Sequence, residues 1–163
     1  MNAAAFDPLR ALRVLIEEKV DFVVIGGLAG RIWGSPTITN DLDICYDRSN
    51  PNLTRLASAL RTLAARLRGV PDEVPFQLDD RTLKFGDSFT FDTSAGALDC
   101  LGTPAGTKGY PDLVTNAASM AIGELTVRFV SLDDLMRMKK AAARPKDLVE
   151  LEILAALKEE SGR

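Results

Sequence analysis

The stretch VVIGGLAGRIWGSPTITNDLDICYD, Val23–Asp47, leads an apolar run into two glycines and then sets Asp41 and Asp43 in an otherwise apolar segment. DFVVIGG reads as a short buried strand ending at Gly26 and Gly27, and LAGRIWG as a short helix stopped by Gly34, Ser35 and Pro36. DLDICYD alternates with period two, so Asp41, Asp43 and Cys45 share one face while Leu42, Ile44 and Tyr46 share the other. One face belongs to a core and the other is acidic.

Upstream, Leu9, Leu12, Val14, Leu15 and Ile16 recur at helical spacing between Phe6 and Lys19, with Asp7 and Pro8 as cap and first-turn proline. Downstream, Asn50–Leu67 reads as one long helix carrying Leu53, Leu56, Leu60, Leu63 and Leu67 on one side, with Gly69 past its end. Pro71–Asp80 is a polar loop. TLKFGDSFTFDT and GALDCLG read as strands of an antiparallel hairpin turning at Ser94, Ala95 and Gly96. A short helix is expected after GTPAGTKGYPD, then LTVRFV as the last strand. Ser131 caps a helix over SLDDLMRMKKAAA, with Asp134 at the capping-box position, and Pro145 opens a final helix ending near Glu159. The order predicts an α+β fold: a small mixed or antiparallel central sheet flanked by helices, with further helices at the C-terminus. We expect one domain over residues 1–163, with its core at 20–130 and a helical motif at 131–160.

With 163 residues, 46% of them hydrophobic and 26% charged, the chain is large enough to bury one core. Its net charge of −3 and pI near 5.0 confine any nucleic-acid contact to a local basic cluster. Asp7, Glu17 and Glu18 interrupt the N-terminal apolar pattern, which argues against a signal peptide or membrane span there and for a cytoplasmic protein. Histidine is absent, which removes Ser-His-Asp and Cys-His triads and His-ligated zinc. The two cysteines, Cys45 and Cys100, have no metal-type spacing, and the faces they occupy argue against a disulfide between them.

Two carboxylates in a strand cost several kcal/mol if they are buried, ionised and unpaired. From spacing alone, an edge strand that turns Asp41 and Asp43 to water fits as well as a divalent-cation site. Asp99 separates the two readings. It lies within GALDCLG, its side chain opposed to those of Leu98 and Cys100, so it is a third strand-embedded aspartate. Three such carboxylates suit a two-metal centre for phosphoryl or nucleotidyl transfer, with Mg²⁺ or Mn²⁺ ions about 3.5–4 Å apart. Gly26 and Gly27, between strand and helix, suit a close backbone approach to phosphate, although a glycine pair alone is more often a tight turn.

VIGGLAGRIWGSPTITNDLDI resembles the glycine-pair and Asp-x-Asp signature of the DNA polymerase β-type nucleotidyltransferase superfamily, and ALDCL matches its third carboxylate. Within that superfamily, VSLDDLMRMKKAAARPKDLVELEIL is similar to the Lys-x4-Arg-x2-Asp motif of the AbiEii/MenT-like nucleotidyltransferase toxins. The resemblance implies transfer of a nucleoside monophosphate from an NTP to an acceptor hydroxyl. Asp41, Asp43 and Asp99 would hold Mg²⁺ or Mn²⁺, with Asp99 also the candidate base. Gly26, Gly27 and Thr39 would meet the nucleotide phosphates and Lys139 the triphosphate. Arg144 and Asp147 would either contact the nucleotide or form an internal ion pair. It also implies tRNA 3′ ends as acceptor and a cognate antitoxin as partner, with a small molecule such as an antibiotic as the alternative acceptor and a non-catalytic nucleotide-binding or partner-binding module as the alternative function. The basic run RMKKAAARPK fits a triphosphate, and it also fits a solvated helix face. Arg31 and Thr37 are further polar residues near the glycines, and Trp33 and Tyr110 are candidate base-stacking aromatics.

Overall fold

The computed structural model describes residues 4–162; residues 1–3 and 163, the ends of the expected domain, lie outside them. Seven strands of the described residues form one sheet: β1 (Phe22–Ile25), β2 (Asp41–Tyr46), β3 (Arg66–Leu67), β4 (Ser88–Thr93), β5 (Gly96–Leu101), β6 (Ala118–Ile122) and β7 (Leu125–Phe129). Their order is β3-β4-β5-β2-β1-β7-β6. β2 pairs with β5 in parallel and β1 with β7 in parallel, while the other pairs are antiparallel. Among the described residues, seven helices flank the sheet: α1 (Pro8–Glu17), α2 (Gly26–Ile32), α3 (Asn50–Thr62), α4 (Asp80–Phe85), α5 (Tyr110–Val114), α6 (Leu132–Ala142) and α7 (Pro145–Ser161). This is the mixed α+β architecture expected from the sequence.

All four residues of β1 are buried, as its unbroken apolar run requires of a central strand. Leu42, Ile44 and Tyr46 of β2 join Leu12 and Leu15 of α1 and Leu53, Leu56 and Leu60 of α3 in the core. Each fully buried side chain of this kind contributes about 1.5–3 kcal/mol of transfer free energy. The expected caps form: the Asp7 carboxylate accepts from the Arg10 N–H, and Ser131 Oγ accepts from the Asp134 N–H. The Asp134 carboxylate accepts from Arg137. Cys45 lies opposite Leu101 and Cys100 opposite Ile44, so the two buried thiols occupy different faces and remain free. No described helix is long and apolar enough to cross a membrane.

Four boundaries differ from expectation. The long helix stops at Thr62 instead of Leu67. Ala64 turns left-handed (φ 51°), and the Ala65 N–H donates to the Leu60 carbonyl, so the chain reverses and Arg66–Leu67 pairs with β4. Residues 82–85, expected within a strand, belong to α4 instead, because Asp79 accepts from the Thr82 N–H and starts a helix in which Leu83 is the buried residue. β6 was not expected. It is a half-exposed strand at the end of the sheet, and its opening Ala118 and Ser119 give little β signal. Finally, α2 begins at Gly26 itself, two residues before Leu28.

Candidate active site

Two strands deliver the three acidic residues. Parallel pairing of β2 with β5 sets Asp43 directly opposite Asp99 and Asp41 opposite Ala97. Asp41 and Asp43 share a face by the two-residue period, and the register adds Asp99 to it. One ligand oxygen from each of the three lies within 4.8 Å of the others.

Such crowding is electrostatically unfavourable without a cation. Burial, then the Asp41 and Asp99 charges, push Asp43 up from 3.8 to about 7, against the opposing pull of Lys139. Burial also raises Asp99, and Arg68 counters it. Three carboxylates and no nitrogen or sulfur donor form an all-oxygen set that fits Mg²⁺ or Mn²⁺, whose two charges would relieve this repulsion.

The glycine pair is explained by what it packs against. Gly26 has φ +67°, and a Cβ there would stand 2.0 Å from Asp43 Oδ2. A Cβ on Gly27 would stand 2.7 Å from Thr39 Oγ1. The β1–α2 turn therefore passes beneath the acidic cluster only because both side chains are missing. Thr39 Oγ1 lies 3.1 Å from both the Asp41 carbonyl oxygen and Asp41 Oδ1, so in this structure the hydroxyl orients a carboxylate.

The opposite wall is the α6–α7 junction. Ala143, left-handed at φ 54°, reverses the chain so that α7 folds back on α6. Lys139 Nζ lies 3.5 Å from Asp147 Oδ1. Arg144 donates from Nε to Asp147 Oδ2 at 2.6 Å and from Nη2 to Oδ1 at 3.2 Å. Asp147 is 1% exposed; burial alone would raise its pKa, but Arg144 and Lys139 outweigh burial and hold it below the usual range. Arg144 and Asp147 thus form the internal ion pair, one of the two alternatives for this motif.

Asp41 and Asp43 border two adjoining cavities that share Lys139, Arg144, Lys146 and Asp147. One, of 340 Å³, has an apolar wall that includes Phe89, Leu101, Pro104 and Met138. The other, of 510 Å³, has the more polar lining and includes Gly27, Thr37, Thr39, Arg68 and Glu150.

Several candidates stand elsewhere. Arg31 is exposed and donates to the Pro36 and Thr37 carbonyls, which pins the loop before β2. The Trp33 indole N–H donates to the Val130 carbonyl, and Tyr110 packs on the core with its hydroxyl accepting from Arg128. Neither aromatic lines either cavity; the one that does is Phe89, stacked on Phe91 at 5.9 Å. Sequence reasoning also missed Arg68, 2.9 Å from Asp99, and Glu150, which accepts from the Thr37 hydroxyl at 2.7 Å. The alternating FTF of β4 was the available signal for Phe89; neither charged residue had a local one.

No family profile and no curated protein matches this chain in sequence. Its fold does match solved structures. The lincosamide antibiotic adenylyltransferase LnuA, solved with lincomycin, superposes with a TM-score of 0.63 at 12% identity, over 96% of this chain and 99% of that one. A Thermotoga maritima protein described as a nucleotidyltransferase gives 0.55 at 16% identity, over 96% and 97%. The antibiotic-resistance factor ANT(2″)-Ia, in complex with adenylyl-2″-tobramycin, gives 0.55 at 15%, over 94% and 89%. The chain has the nucleotidyltransferase fold along nearly its whole length.

Proposed function

We propose that this protein transfers a nucleoside monophosphate from an NTP to an acceptor hydroxyl and releases pyrophosphate. The observation that carries the reading is the register of β2 and β5, which brings Asp99 beside Asp41 and Asp43 across a cleft from Lys139. Asp41, Asp43 and Asp99 would hold Mg²⁺ or Mn²⁺, and the bound dication would supply charge stabilisation at the α-phosphate and the leaving pyrophosphate. Lys139, steadied by Asp147, meets the triphosphate as a point charge, with Arg144 beside it. Gly26 and Gly27 let the backbone approach the β- and γ-phosphates, and Thr39 serves there by fixing Asp41. As the acceptor oxygen bonds to the α-phosphorus and the bridge to the β-phosphate breaks, the hydroxyl proton passes to Asp99. Burial raises the basicity of that carboxylate.

The acceptor that the cleft fits best is a small hydroxyl compound with an apolar face. The apolar-walled cavity of 340 Å³ lies within the size range of small-molecule pockets. Two of the structures sharing this fold are antibiotic-modifying enzymes, which supports the same class. A second reading, a toxin acting on tRNA 3′ ends and restrained by an antitoxin, is favoured by Lys140 and Lys146, exposed at the α6–α7 junction.

The test is incubation with each α-labelled NTP, Mg²⁺ or Mn²⁺, a panel of lincosamides and aminoglycosides, and total tRNA. We expect label on a small molecule, abolished by Asp43→Ala. Label on tRNA would establish the second reading. No label on any acceptor, together with unchanged nucleotide affinity in Asp43→Ala, would refute both.

A further inference from the structure

Arg68 stands at the end of one row that crosses four strands. The ladders place Arg66 opposite Asp92 and Leu67 opposite Phe91, so the next residue, Arg68, faces Thr90, to whose carbonyl its N–H donates. Thr90 lies opposite Asp99, and Asp99 opposite Asp43. Residues in one such row project from the same face of the sheet. Reaching Asp99 from Arg68 means crossing the whole width of β4, and adjacent strands are about 4.8 Å apart. Only a long side chain spans that distance.

The guanidinium arrives fixed. Nη2 donates to the Phe91 carbonyl at 2.9 Å and to Asp99 Oδ1 at 2.9 Å, while Nε donates to Asp92 Oδ1 at 3.2 Å. A surface ion pair of two mobile side chains contributes little. This one is tied to backbone and to a second carboxylate, and it ends on the less exposed of its two carboxylates, the Asp99 side chain at 18%. The far end of the acidic cluster therefore carries a cation that belongs to the fold, and it borders the polar cavity.

We infer that Arg68 is the built-in counter-cation of Asp99, and that its charge lowers the affinity of the empty cleft for divalent metal. The inference rests on the metal-site reading above. With Arg68 in place, the three carboxylates carry one net negative charge fewer, so the dication binds weakly alone and well once triphosphate oxygens complete its shell. Metal entry is thereby coupled to nucleotide entry. A purely structural Arg68 would behave oppositely, since its removal would disorder Asp99 and weaken metal binding.

Mn²⁺ alone is the probe, titrated by electron paramagnetic resonance into the full-length protein without nucleotide. Arg68→Met, which keeps the length and removes the charge, should bind Mn²⁺ about three- to tenfold tighter, the effect of deleting a unit charge several ångströms from a dication in a watery cleft. Arg68→Lys, which restores the charge without the planar fork, should return affinity to within about twofold of the parent. Adding NTP should raise Mn²⁺ affinity more in the parent than in Arg68→Met. Unchanged or weaker Mn²⁺ binding by a folded Arg68→Met, its fold checked by thermal melting, would overturn the inference. Asp43→Asn in the same titration separates the two claims. If it binds Mn²⁺ as well as the parent, the three-carboxylate site itself is wrong; if it loses binding while Arg68→Met does not gain it, only the role of Arg68 falls.

Discussion

Two carboxylates face one another across the cleft from opposite electrostatic settings. Asp43 sits among two other aspartates, and its pKa is pushed up to about 7, by burial first and then by its neighbours. Asp147 is less exposed to solvent, yet Arg144 and Lys139 hold it below the ordinary carboxylate range. Burial penalises both; at Asp147 two close cations outweigh it, and at Asp43 the neighbouring aspartates add to it. Asp147 is satisfied within the chain and works as structure. Asp43 lacks such compensation, and groups left in that state are where chemistry is found. Lys139 borders both settings, close to Asp147 and lining the same cavity as Asp43.

The contrast is sharpened most by removing each charge. Asp43→Asn should lower nucleotidyl transfer by at least about a thousandfold, the several kcal/mol that a metal's charge stabilisation supplies, read from turnover at saturating NTP. Asp147→Asn should instead act on stability. It removes the buried carboxylate that Arg144, itself largely exposed, and Lys139 share, and should cost about 2 kcal/mol, a fall of about 4–8 °C in melting temperature. If both substitutions struck activity alone, the division between the two settings would be wrong. Gly26→Ala comes next: the new methyl would collide with Asp43 at a left-handed φ, for a loss of about 2 kcal/mol in melting experiments together with reduced transfer.

A smaller effect tests the same contrast by pH. Because Asp43 is raised from 3.8 to about 7, the metal-free folded chain holds a proton that the unfolded chain releases anywhere between those values. Its stability should therefore fall as pH rises through that window. Asp43→Asn should melt higher than the parent at pH 8, by about 1–3 kcal/mol of stability, and the gain should vanish near pH 4. Saturating Mg²⁺ should reverse the order at pH 8, since only the parent gains from the ion. Thr39→Val is the mildest change. Losing the hydroxyl beside Asp41 should weaken Mn²⁺ binding by about tenfold or less, with little change in melting temperature.

Much of this site is written locally. The parity of DLDICYD and of GALDCLG fixes which way Asp41, Asp43 and Asp99 point, and the glycine pair marks the turn, because each depends on a few neighbouring residues. Lys139 and Asp147 were legible through a motif confined to one helix junction. Arg68 was not. Leu53 to Leu67 keep helical spacing without a break, so nothing local announced that Ala64 would turn the chain and send Arg66–Leu67 into the sheet. The value of Arg68 also depends on two strand registers, set by the packing of the whole sheet. Glu150 was hidden in the same way, since its partner Thr37 lies far away in sequence. Phe89 could be read as a strand residue, but its place at the cleft follows from where β4 sits beside β5.

The central claim is that Asp41, Asp43 and Asp99 hold a divalent ion facing a triphosphate bound by Lys139. A crystal grown with Mn²⁺ and a non-hydrolysable NTP tests it most directly through the anomalous signal of the metal. We predict a peak about 2.0–2.3 Å from oxygens of these aspartates, with Lys139 Nζ within about 3 Å of a phosphate oxygen. A peak away from the three carboxylates, or a Lys139 amine more than about 6 Å from every phosphate, would contradict the account.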